Sequence, residues 1–129
     1  MKFFFVSSNT SEAIKAKKKY IKKYNQSKID DADTIIPIGG DGFLLKSLHD
    51  YKDYNKPFYG INYGSIGFLM NAETKKDLNK IILSSQNIKL KALNMIAKDI
   101  KGKSYKSIAF NEVSMMRQTH QAAKIRINI

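Results

Sequence analysis

Apolar residues arrive in short bursts along this chain, and their spacing changes from burst to burst. Phe3-Phe4-Phe5-Val6 is a continuous run of strand length, closed by polar Ser7-Ser8-Asn9, and reads as a first buried strand. From Asn9 to Tyr24 the period lengthens: Ala13, Ala16, Tyr20 and Tyr24 recur at helical spacing, with Ile14 and Ile21 widening the stripe. Lys15, Lys17, Lys18, Lys19, Lys22 and Lys23 line the remainder as a solvated face. Asn9 and Glu12 stand at capping-box spacing, so the helix is expected to start there. Asp30, Asp31 and Asp33 make a polar turn, and Thr34-Ile35-Ile36 opens a second strand. Pro37 removes a ladder donor inside that strand, which calls for an edge position or a local break.

The alternation continues. Phe43 to Tyr51 reads as a second helix, Pro57 to Asn62 as a third strand, and Thr74 to Leu83 as a third helix with Leu78, Ile81 and Ile82 facing inward. A β-α-β-α-β-α order predicts a mostly parallel sheet covered by helices. After Ser85 the period becomes that of a half-buried strand, with Ile88, Leu90 and Ala92 alternating with polar residues. Lys101-Gly102-Lys103 signals a turn, Tyr105 to Met116 a returning strand, and Ala123 to Ile129 a further one. The expected organisation is an α/β domain over residues 1–85, followed at 86–129 by the beginning of a β-rich domain, incomplete where the chain stops.

Composition narrows the class. The 129 residues suffice for one ordinary domain, and a hydrophobic fraction of 43% is compatible with a packed core. No apolar run approaches the roughly 20 residues of a membrane span. The N-terminus lacks the longer apolar region and cleavage site of a signal peptide. The absence of cysteine excludes disulfides and thiolate metal sites. A cytoplasmic protein without membrane partners is expected. The net charge of +12 would suit a polyanion, but only Arg117 and Arg126 are arginine. Readers of bases and phosphates lean on the arginine fork. A lysine excess alongside abundant Ile, Asn and Tyr reads instead as coding drift, and nucleic acid is not the expected partner.

Six of the seven glycines lie between positions 39 and 67, in two blocks. Ile38-Gly39-Gly40-Asp41-Gly42-Phe43 follows the second strand, and Gly60-Ile61-Asn62-Tyr63-Gly64-Ser65-Ile66-Gly67-Phe68-Leu69 spans the third. Turns at the carboxyl ends of parallel strands are where open α/β sheets hold ligands. Glycines let backbone N–H groups approach an anion, and a helix N-terminus adds its positive end. Lys46, about one turn into the helix, is placed to reach a phosphate. Asp41 would compete with that phosphate for donors unless it serves another group, such as a ribose hydroxyl whose proton it accepts. The same four residues are also compatible with a tight turn in which Asp41 caps a helix. The P-loop pattern is absent, and the dinucleotide fingerprint fails because Leu45 stands at its third glycine and Ile61-Asn62 at its acid. Asn111-Glu112, in the predicted return strand, could hydrogen-bond a ribose or an adenine edge. His49 and His120 stand alone.

Together, Ile-Gly-Gly-Asp-Gly at 38–42, Asn-Tyr-Gly-Ser-Ile-Gly-Phe-Leu at 62–69 and Asn111-Glu112-Val113 resemble the NAD kinase family in order and spacing. The run from Asn111 to Lys124 looks like its bacterial branch. Related lipid kinases share the first turn, but the later blocks fit NAD kinases better. The resemblance implies a Rossmann-like N-terminal domain and a β-rich C-terminal one. It implies ATP-dependent phosphorylation of the 2′-hydroxyl of the adenosine ribose of NAD, with a divalent metal such as magnesium carried by the nucleotide. It places Asp41 as the catalytic carboxylate and Gly42 as the substrate-contacting glycine. Lys46 becomes a substrate-contacting basic residue, Phe68 a pocket border, and Asn111 and Glu112 the NAD-binding pair; no residue is assigned to a metal. Members are about twice this length and form homo-oligomers, so a catalytically silent nucleotide-binding fragment is the alternative expectation.

Overall fold

The chain begins in the sheet because Phe3 and Phe5, two apart on a strand, point to the same face and both find complete burial there. The structure is a computed structural model that describes residues 1–129 apart from Ile66, Gln118, Ala123 and Ile129. Strands β1 (Phe3–Ser7), β2 (Thr34–Gly39) and β3 (Ile61–Asn62) form a parallel sheet in the order β1-β2-β3. Helices α1 (Ser11–Tyr24), α2 (Asp41–Asp50) and α3 (Leu78–Ser84) alternate with them.

One face of the sheet packs Phe3, Phe5, Ile36, Ile38 and Ile61 against Ala13, Ala16 and Tyr20 of α1 and Leu78 of α3. On the opposite face Phe4 meets the ring of Tyr51, at the end of α2, edge-on at 5.6 Å. All six residues of β2 are buried, as a strand covered on both sides requires. Each large side chain so buried contributes about 1.5–3 kcal/mol.

Several element boundaries differ from expectation. Helix α1 is capped by Thr10, whose hydroxyl accepts from the Ala13 N–H at 3.4 Å, and not by Asn9. Helix α3 starts at Leu78 instead of Thr74. Asp77 is the cap, its Oδ1 accepting from the N–H groups of Asn79 and Lys80 at 3.1 and 3.3 Å. Thr74 instead makes a local turn by accepting from the Lys76 N–H at 3.2 Å.

Pro37 lies in the central strand, not at an edge. Ile35 donates to the Pro57 carbonyl and accepts from the Tyr59 N–H, both 3.0 Å, so its polar groups face the β3 side. With the period of two, the nitrogen of Pro37 faces the same way and has no hydrogen to give. Pairing on that side is therefore interrupted, with a bridge at Ile35–Phe58 and a resumption at Ile38–Ile61 in the same register. The missing donor shortens the expected third strand to two residues.

The chain divides into two compact units, Met1–Lys89 and Leu90–Ile129. The second holds an antiparallel hairpin of β4 (Leu93–Lys98) and β5 (Ser104–Ala109). Its turn is held by Asp99, which accepts from the N–H groups of Lys101 and Lys103 at 2.9 Å, and by Gly102 at φ 83°. The alternating stretch from Ile88 to Ala92 carries no strand, and β5 stops at Ala109, whose partner is the first residue of β4. With nothing left to pair, the strand expected to run on to Met116 cannot continue. The described residues within 123–129 form no strand, and the two ends of that segment lie outside the described residues.

Candidate functional site

Two glycine turns meet at the carboxyl ends of β2 and β3. After Gly39 the chain turns directly into α2, with Gly40 as its N-cap and no side chain capping it. The N–H groups of Phe43 and Leu44 are satisfied by the Gly40 carbonyl at 2.9 and 3.1 Å, which leaves those of Asp41 and Gly42 at the mouth of the helix. The second turn is pinned alongside: Tyr63 donates its N–H to the Gly39 carbonyl at 2.7 Å. Asn62 Oδ1 accepts from the Gly64 N–H at 2.9 Å. Gly64 approaches Gly40 backbone to backbone, so closely that a Cβ on Gly64 would lie 2.9 Å from the Gly40 Cα. A glycine is required there by packing alone.

Asp41 is the first residue of α2, where the helix dipole favours a carboxylate. It does not cap its own helix. Its Oδ2 accepts from the Phe68 N–H at 2.7 Å, and its two oxygens share the Leu69 N–H at 3.2 and 3.3 Å. Gly67 fits against it with no room for a side chain, since a Cβ would meet Asp41 Oδ1 at 2.7 Å. The structure thus brings Asp41 and Phe68 together. The Phe68 ring itself is 93% exposed. Gly42 is different from its neighbours: nothing lies within 4 Å of where its Cβ would be, so the chain's own packing does not explain a glycine there.

Lys46 points away from the turn and pairs with Asp50, four residues on. The hydrogen bond from Lys46 to that carboxylate raises the ammonium above the ordinary lysine range. Asn111 and Glu112 belong to the second unit, exposed and just past the end of β5 instead of within it.

The sequence reading missed the residues that close the second turn at its base. Asn71 accepts at its carbonyl from the Asn62 N–H at 2.8 Å and donates both its backbone N–H and Nδ2 to the Gly60 carbonyl, at 2.9 and 3.0 Å. Glu73 faces Tyr63 and Lys19, which hold its carboxyl below the usual range; the Lys19 ammonium lies 3.0 Å away. Burial, and then Glu73, push the Tyr63 hydroxyl upward. Tyr20 is pushed up to about 12, first by burial and then by the Glu73 charge. Lys19 and Glu73 are 54 positions apart, and the contacts of Asn71 and Tyr63, nine to eleven positions long, follow no helical or strand period, so no local spacing encodes them.

Among the described residues no group of three or more His, Asp or Glu side chains could hold a metal ion. None of their helices is long and apolar enough to cross a membrane.

A parallel sheet whose strand ends carry two interlocked glycine turns and one carboxylate defines an α/β domain of the class that holds ligands at the carboxyl ends of its strands. Residues 3–87 match the family described as the ATP-NAD kinase N-terminal domain, and the chain belongs to the NAD kinase family. It is 42% identical over 125 residues to an NAD kinase of Brucella suis, covering 97% of this chain and 49% of that protein. It is 53% identical over 109 residues to an NAD kinase of Rickettsia typhi, covering 84% of this chain and 42% of the relative. The chain thus spans about half the length of these relatives. A solved NAD kinase of Archaeoglobus fulgidus, in complex with ATP, shares 20% identity at a TM-score of 0.43 over 75% of this chain and 42% of that one.

Proposed function

We propose that this chain is the catalytic-turn portion of an enzyme that transfers the γ-phosphoryl group of ATP to the 2′-hydroxyl of the adenosine ribose of NAD, giving NADP and ADP. The observation that carries the reading is the position of Asp41: a carboxylate at the mouth of a helix with no side-chain cap, next to a glycine that packing does not require. Such a mouth suits phosphate, because the N–H groups of Asp41 and Gly42, which have no acceptor among the described residues, and the helix dipole all favour negative charge. Asp41, unable to serve phosphate, is left for a hydroxyl.

In the step proposed, the ribose 2′-hydroxyl gives its proton to Asp41 as its oxygen bonds to the γ-phosphorus. The bond from that phosphorus to the bridging oxygen breaks and ADP leaves. Gly42 lets the ribose come close, Lys46 exchanges Asp50 for a phosphate oxygen, and Phe68 borders the pocket with its exposed ring. Asn111 and Glu112 are the pair that the family resemblance assigns to NAD. A divalent ion such as magnesium would be carried by the ATP phosphates and would supply neutralisation of their charge. A cysteine-free chain of this chemistry suits the cytoplasm.

Incubating the complete protein with NAD, ATP and magnesium should yield NADP. A folded, full-length sample that forms none would remove the reading. A silent nucleotide binder would show heat of binding for NAD or ATP in calorimetry without turnover.

A further inference from the structure

We propose that Asp41 has a second role: its carboxylate latches a strap made of Gly67, Phe68 and Leu69, and a substrate hydroxyl reaches it only by displacing that strap. The displacement, though not the latch, rests on the nucleotide reading of the site given above.

The latch follows from what holds the strap and what does not. Below the strap the chain is firmly anchored. Met70 is buried, and Asn71 is tied by three hydrogen bonds to Gly60 and Asn62. Above that anchor, apolar burial contributes little, because Phe68 is 93% exposed and Leu69 43%. Before the strap, Tyr63 and Gly64 hold the second turn against Gly39 and Gly40; within the strap itself, the contacts to the first turn are the N–H groups of Phe68 and Leu69 on Asp41. Gly67, with a would-be Cβ only 2.7 Å from Asp41 Oδ1, permits the approach. A segment held by a polar latch and not by buried side chains can be released by exchanging one donor for another. A hydroxyl donating to Oδ2 would replace the Phe68 N–H, which returns to water at an exposed position. Replacing one hydrogen bond by another in this way changes the free energy little. The carboxylate is thereby kept occupied until a substrate with a suitable donor arrives.

The test is amide hydrogen exchange, read residue by residue by NMR. In the wild-type chain the amides of Phe68 and Leu69 should be protected despite their exposure. Asp41→Ala should speed their exchange by about tenfold or more, while Ile36 and Ile38 in the sheet stay unchanged. Gly67→Ala should do the same with the carboxylate intact, because its methyl group forces the strap away. If Asp41→Ala fails to fold, seen as lost protection at Ile36 and Ile38, Gly67→Ala decides alone. Unchanged protection at Phe68 and Leu69 in Gly67→Ala, or none in the wild type, overturns the latch. With the complete protein, saturating NAD should release the Phe68 amide. Binding heat with the Phe68 amide still protected overturns the displacement. No binding heat at all removes the nucleotide reading and with it the displacement, while the latch still stands or falls on the two variants.

Discussion

Asp41 already accepts from two backbone N–H groups, and under the proposed function it also serves a hydroxyl, a dual duty that shapes what substitutions there should do. In the complete enzyme, Asp41→Asn keeps the shape and one acceptor but cannot take a proton. Turnover should fall by about 10²–10⁴ while NAD affinity changes far less, measured by steady-state kinetics alongside calorimetry. Near-normal turnover would end the assignment of Asp41 as base. Lys46→Ala should instead raise the Michaelis constant more than it lowers kcat, since it removes a contact and not a proton acceptor. The glycines offer a sharper contrast. Gly64→Ala drives a methyl group to 2.9 Å from the Gly40 backbone and should cost about 1–3 kcal/mol in urea unfolding. Gly42→Ala meets nothing and sits in a helix, so it should be neutral or stabilising by up to about 1 kcal/mol, yet weaken nucleotide binding. At this scale the letters marked the two turns that meet at the strand ends and the acid that lies between them, because glycine clusters and a lone carboxylate are local signals. They did not show that the second glycine turn closes on Asp41 by its backbone, since N–H groups are common to almost every residue. Nor did they show that Lys46 has Asp50 within reach, although the interval of four between them carried that information.

Single elements follow from the pattern of the chain wherever burial and local capping agree. The runs at Phe3 and Thr34 became strands paired with one another along their length because their apolar residues have helices to pack against on both faces. The alternation at Ile88 to Ala92 had the right period but no partner strand, and period alone does not make a ladder. Caps were misplaced by short steps because Asn9 and Thr10 are both good cap residues, and only the backbone geometry at Thr10 chooses between them. The choice can be checked: Thr10→Ala should lower stability by about 0.5–2 kcal/mol, and Asn9→Ala should change it much less, both read by urea unfolding monitored by circular dichroism. Equal losses would contradict the cap observed here. Pro37 shows a local rule overridden by context. A proline is tolerated in the central strand because its nitrogen faces the side where the neighbouring strand is interrupted.

For the molecule as a whole, acid and base should act through the same tyrosine-lined corner. Glu73 has a folded value depressed below 4.5 by Tyr63 and Lys19. Its contribution is present above that pH and is lost as pH falls through the depressed value. Because Glu73 and Lys19 are substantially solvent-exposed, the effect should be modest and should shrink with salt. Tyr20 behaves in the opposite sense. Its neutral form is favoured in the fold, so its contribution is complete below pH 10 and lost as pH rises from 10 towards about 12. Denaturant midpoints measured across pH should therefore decline at both ends. Glu73→Gln should flatten the acid limb, and Tyr20→Phe should reduce the alkaline one. An alkaline limb unchanged in Tyr20→Phe would contradict the burial of that hydroxyl.

The aromatic stack gives the protein a built-in optical signal confined to one unit. The chain has no tryptophan, and of its seven tyrosines only Tyr105 lies beyond Lys89. Tyr20 lies nearly parallel to Phe5 and to Tyr24, at centroid distances of 5.9 and 6.3 Å, close enough for their electronic transitions to couple. Near-ultraviolet dichroism and emission on ultraviolet excitation will thus report the loosening of the sheet-bearing unit almost alone. Disorder spreading through the hairpin would leave both signals nearly dark.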